Sequence, residues 1–206
     1  MTQITEDTFE QALHIFREAQ EIDLHCVTFI DPYGMVGLLE IGELLKSKGI
    51  QKTLLLPESE EVLKYLERMD FFKFADRYFN LKPFQPQISE KYLRNSSSDV
   101  LLEITPIEKS DDIHYIVGMV KGRAQAILAK HLHYDERTIN GFLVALSEVC
   151  QNIIEHSETK GFVDIQKYHF QNMNKNVVKI AAMDAGIGFR MSPSERFFIK
   201  ERSGGH

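Results

Sequence analysis

Three side chains spaced four apart, Glu148, Asn152 and His156, form the pattern E-x-x-x-N-x-x-x-H. Residues four apart on a helix are neighbours on one face, so a carboxylate would stand one turn from a carboxamide. That pair suits metal and phosphate chemistry. The amide oxygen is a hard ligand for Mg²⁺, and the carboxylate can accept a proton from a water or a hydroxyl. Some thirty residues on, the apolar run Val177-Val-Lys-Ile-Ala-Ala-Met183 leads into Asp184-Ala-Gly-Ile-Gly188. A carboxylate at the end of a strand can take a hydrogen bond from a ligand amine. Gly186 and Gly188 permit positive φ and the close backbone approach that a bound nucleotide needs.

The elements that must position these groups are readable in the pattern. Phe142, Leu143, Leu146, Val149, Cys150, Ile153 and Ile154 recur at three- and four-residue spacing, one buried face of an amphipathic helix. The helix is expected to start at Asp135 or Thr138. Before it, Val100–Thr105 reads as a strand, and Asp111 or Asp112 caps a helix running to about His133. After it, 162–170 and 176–183 read as successive strands joined by a polar turn at 171–175. Two helices on one face of a largely antiparallel sheet make an α+β sandwich.

With these residues in place, the chain resembles the GHKL superfamily (the Bergerat fold of gyrase, heat-shock chaperone, histidine-kinase and mismatch-repair ATPases). Glu148 and Asn152 stand where that family has its N box, and Asp184, Gly186 and Gly188 match its first glycine box. The resemblance implies ATP as ligand, Asn152 binding Mg²⁺, Asp184 contacting the adenine amino group, the glycine loop walling the pocket, and Glu148 as general base. The continuation Ile153-Ile-Glu-His156 is most similar to the anti-sigma-factor serine kinases. The family's second glycine box follows a lid. Here Met191–Ser203 is the segment available as a lid and Arg202-Ser-Gly-Gly-His206 the opening of such a box. The resemblance therefore implies a domain either incomplete at its C-terminus or reduced, in which nucleotide binding is favoured over turnover.

The first part of the chain alternates strand and helix. An amphipathic helix over 5–20 buries Phe9, Ala12, Leu13, Phe16 and Ala19; its role is packing on the first domain, or else a homodimer or partner contact. Strands at Cys26–Ile30 and Thr53–Leu56 and helices at 34–48 and from Ser59 onward predict parallel pairing through right-handed crossovers. This order, with Asp31-Pro-Tyr-Gly34 at the strand-to-helix turn, resembles a STAS domain, the fold of anti-sigma-factor antagonists, which implies a protein partner for this half. Pro32 and Tyr33 stand where phosphorylated antagonists have a serine or threonine, so serine phosphorylation at this turn is not expected. The aromatic cluster Phe71, Phe72, Phe74, Tyr78 and Phe79 is expected in a core or domain interface. The domain reading is 1–80 STAS-like, 81–99 linker (rich in proline and serine) and 100–206 GHKL-type.

Composition sets the outer limits. In 206 residues, 43% hydrophobic and 26% charged content are those of a globular protein. A net charge of -6 argues against nonspecific nucleic-acid binding. No apolar run reaches the ~18 residues of a membrane span, and no basic-then-apolar leader is visible, so a cytoplasmic location is expected. Two cysteines in apolar contexts, Cys26 and Cys150, are expected as buried free thiols. His131 and His133, two apart, would point to opposite sides of a helix, and no zinc spacing, P-loop or G-x-S-x-G elbow is present. The resulting expectation is a two-domain regulator binding Mg²⁺-ATP, with protein serine/threonine kinase or ATPase activity as its enzymatic form. The alternative is a non-catalytic partner-binding scaffold or nucleotide sensor.

Overall fold

A computed structural model describes residues 2–83, 100–124, 135–156, 160–170 and 175–185. The chain is mixed α/β. Its first part contains β1 (Gln3–Ile4), α1 (Phe9–Glu18), β2 (Glu21–Asp23), β3 (Phe29–Ile30), α2 (Pro32–Ser47), β4 (Lys52–Leu55), α3 (Glu60–Arg68), α4 (Phe71–Ala75) and β5 (Phe79–Lys82). The second part contains β6 (Val100–Ile107), α5 (Ser110–Ala124), α6 (Glu136–His156), β7 (Gly161–Phe170) and β8 (Lys175–Asp184).

All pairings in the first part are parallel, as the alternation predicts, but the two expected strands are not each other's partners. β3 pairs with β1, while β4 lies between β2 and β5. The added strands are two to four residues long, too short for a period of two to register. The strand expected at Cys26–Ile30 shrinks to Phe29–Ile30, because Leu24–Val27 closes a turn with the Val27 amide donating to the Leu24 carbonyl at 2.8 Å. That turn leaves Cys26 exposed, which corrects the expectation of a buried thiol; Cys150 is buried as expected.

Local signals account for some helix starts, and a distant lysine for one helix end. Ser59 caps α3, accepting from the Val62 amide, and Glu60 and Glu61 sit in its first turn, where they complement the helix dipole. At the other end of α1, the Lys52 ammonium donates to the carbonyls of Phe16 and Arg17, both at 2.9 Å. These carbonyls have no intrahelical partner, and a cation satisfies them.

β6, β7 and β8 form an antiparallel sheet, and its two faces have different company. Val163 and Ile165, with Val178, Ile180 and Ala182, face a core built by α5 and α6 (Ile113, Ile116, Val120, Phe142, Leu146, Cys150). Phe162, Ala181 and Met183, on the opposite face by the strand's period of two, belong to the core of the first part, with Phe9, Leu38, Leu39 and Phe74. Helix α2 is therefore buried nearly all round, between its own strands and the back of this sheet. The helix is apolar on every side for that reason. The expected interface aromatics fill the seam: the ring of Phe162 meets Phe74 edge-on at 5.3 Å and Tyr78 at 6.4 Å. The expected linker falls mostly in 84–99, outside the described residues.

Candidate functional site

Helix α6 begins at Asp135, whose carboxylate accepts the Thr138 amide at 2.7 Å. The Thr138 hydroxyl first, and then its amide, hold the Asp135 pKa below its ordinary value. The apolar stripe Ile139, Phe142, Leu143, Leu146, Cys150 and Ile153 is buried as its spacing predicts. Burial pushes the Cys150 thiol up to about 12, which keeps it an inert packing group. Glu148 and Asn152 lie on the exposed side of the same helix. His156 is the last residue of α6, and its side chain lies outside the described residues.

Asp184 ends β8 and is partly exposed. By alternation with Ala182, Ile180 and Val178 its position falls on the α6 face of the strand, while its charge also bears on Glu40 of α2 across the strand end. A direct contact fixes where α6 crosses that face. Gly161, which pairs with Asp184 in the sheet, packs so closely on the helix that an added Cβ would stand 2.6 Å from Ile153 Cγ2 and 2.5 Å from the Met183 carbonyl. Glycine is what admits the helix here. The turn bearing Asn152 and the strand end bearing Asp184 thus share one end of the sheet, with Glu148 one turn back along the helix. Gly186, Gly188, the expected lid and the expected opening of the second glycine box lie outside the described residues.

Among the described residues no group of three or more His, Cys, Asp or Glu is arranged to hold a metal ion. The exposed Asn152 carries an amide oxygen, a hard ligand of the kind Mg²⁺ takes.

Behind the site lies polar chemistry that sequence reasoning missed. Asp31, fully buried, caps α2 by accepting from the Gly34 amide at 2.9 Å and also takes the Lys179 ammonium of β8 at 3.0 Å. Lys179 reaches Glu6 at 3.8 Å as well. The Asp-Pro-Tyr-Gly turn is thereby tied to the back of the β6–β8 sheet. Tyr33 within it packs edge-on against Phe9 at 5.4 Å. Beside this tie, the Tyr65 hydroxyl of α3 donates to the Gln166 side-chain carbonyl and lies 2.9 Å from the Tyr168 hydroxyl.

Two buried acids have no such help. Glu40 on α2 and Asp164 on β7 are fully buried, and none of their four carboxyl oxygens has a hydrogen-bond partner. Burial, then the charges of Asp184 and Glu43, pushes the Glu40 pKa up to about 9. The Phe162 backbone amide opposes this without reaching hydrogen-bonding geometry. Burial, then Asp31 and Glu103, holds Asp164 well above the usual carboxylate range. The only sequence signal was an acid inside an otherwise apolar run, Leu38-Leu-Glu-Ile41 and Phe162-Val-Asp-Ile165.

Comparison with family models, with curated proteins and with solved structures finds no match. No helix among the described residues is long and apolar enough to cross a membrane.

Proposed function

We propose that this protein binds Mg²⁺-ATP in the manner of a GHKL domain and couples the nucleotide to a protein partner through its STAS-like first part. The observation that supports this reading is the Ile153–Gly161 contact, since Asn152 adjoins Ile153 and Asp184 pairs with Gly161 in the sheet. Asn152 supplies an exposed amide oxygen to the ion, and Asp184 accepts from an amino group such as that of adenine. The ion, when bound, neutralises phosphate charge. In this reading Glu148, exposed one turn from Asn152, takes the proton of a protein hydroxyl or of water. A serine/threonine kinase or ATPase is the enzymatic form of this proposal.

A second reading is a partner-binding scaffold or nucleotide sensor. The packing of α2 on the back of the sheet favours it, since that contact gives the first part a route to the site. Calorimetry with Mg²⁺-ATP separates the nucleotide readings from the scaffold: if nucleotide is bound, wild type gives ATP-dependent heat and Asn152→Ala binds at least tenfold more weakly. Absence of ATP-dependent heat from the wild type would refute both nucleotide readings. If Glu148→Ala keeps binding but loses transfer of phosphate, the enzymatic form stands.

A further inference from the structure

The two unpaired acids lie where the first part of the chain meets the sheet of the second. Glu40 faces Glu43 on its own helix, Asp184 from β8 and Tyr78 from the segment between α4 and β5, with the Phe162 amide of β7 nearby. Asp164 faces Asp31 at the start of α2, Glu103 from β6, Tyr65 from α3 and Tyr168 on its own strand. Arg68 bears on Tyr65 and Tyr168, and Arg77 on Tyr78. Lys179 binds Asp31, and Arg123 binds Glu103 at 2.6 Å. An ionised carboxylate without a counter-charge or a donor is expelled from such a place or takes up a proton.

We propose that Glu40 and Asp164 act as a proton-held latch: both enter the seam as neutral acids, so docking of α2 on the sheet takes up protons and loosens as the pH rises. The sign follows from linkage. An acid that holds its proton more tightly when docked gives full docking strength below the ordinary carboxyl value of 4.5, and loses it as pH climbs toward the docked value of about 9. Between these limits Glu40 weakens docking up to about tenfold per pH unit, and Asp164, also raised by burial, acts in the same direction. Asp184 is among the charges bearing on Glu40, so the latch touches the candidate site, but its existence does not depend on what binds there.

The experiment is amide hydrogen exchange of α2 and β7 from pH 6 to 9, corrected for intrinsic rates, on wild type, Glu40→Gln and Asp164→Asn. The expected result is protection that falls steeply with pH in the wild type and more shallowly in each variant. Equal slopes in all three proteins would overturn the latch. Infrared spectra of the wild type alone give a second readout that does not depend on either variant folding. A carbonyl stretch of protonated carboxylic acid at neutral pH supports the proposal, and its absence refutes it.

Discussion

The Asp31–Lys179 pair spans 148 residues of sequence and joins the α2 cap to the last described strand. Replacing Lys179 with methionine keeps most of the side-chain volume and removes the charge, leaving a fully buried carboxylate behind. At 3.0 Å and an effective dielectric of about 20, the direct attraction is 332/(20 × 3.0), about 5.5 kcal/mol. Much of this is offset by the desolvation of both groups, and breaking a buried pair typically costs about 3–5 kcal/mol. Two features soften the loss here. Lys179 is 22% exposed, and Asp31 keeps amide donors from Gly34 at 2.9 Å and Glu6 at 3.4 Å. The expected cost is therefore about 2–3 kcal/mol, which at roughly 2–4 °C per kcal/mol lowers Tm by roughly 4–12 °C. Urea and thermal unfolding followed by circular dichroism would measure it. In an Asp31→Asn background the same substitution should cost less than about 1 kcal/mol, a coupling that a double-mutant cycle isolates. A Lys179→Met protein within about 0.5 kcal/mol of wild type, or a coupling near zero, would refute the argument that this pair fastens the two parts together.

Phe162 sits in the core of the first part while belonging to a strand of the second, so Phe162→Ala should cost about 3–5 kcal/mol. The loss should appear as one transition in differential scanning calorimetry, not as the melting of one half alone. Gly161→Val should push α6 off the sheet, destabilising by about 1–3 kcal/mol, and should weaken Mg²⁺-ATP binding in titration calorimetry while Gly118→Ala, on an open helix surface, does not. Cys26 should react with a thiol reagent in the native protein at the rate of an exposed thiol. Cys150 should react only on unfolding, as mass spectrometry of labelled peptides would report.

Most elements were legible because local chemistry decides them. The stripe of α6, the Ser59 cap and the Asp135 cap depend on residues within a turn of each other, and the structure places all three where the sequence put them. The candidate residues were also legible as types: Glu148 and Asn152 are exposed on α6 and Asp184 ends its strand. What their spacing did not disclose was the contact that brings helix and strand end together, since Gly161 reads as an ordinary turn glycine until Ile153 is packed on it. Cys26 was misplaced because a β-branched and aromatic run looks like a strand even when a turn takes its first half. The docking of the two parts was legible only in the aromatic cluster that includes Phe74 and Tyr78. Glu40 and Asp164 pass for chance acids in apolar runs, and Lys179 for the polar side of a strand, until α2 is laid across the sheet, burying the first two and pairing the third with Asp31.

The account depends most on a nucleotide lying between α6 and the end of β8. Photolabelling with 8-azido-ATP and Mg²⁺, followed by peptide mapping, asks this directly. Labelled peptides from 142–156 or 175–188, protected by ATP and lost in Asn152→Ala, are the predicted result. Labelling confined to residues 1–83, or labelling that excess ATP does not suppress, would contradict it.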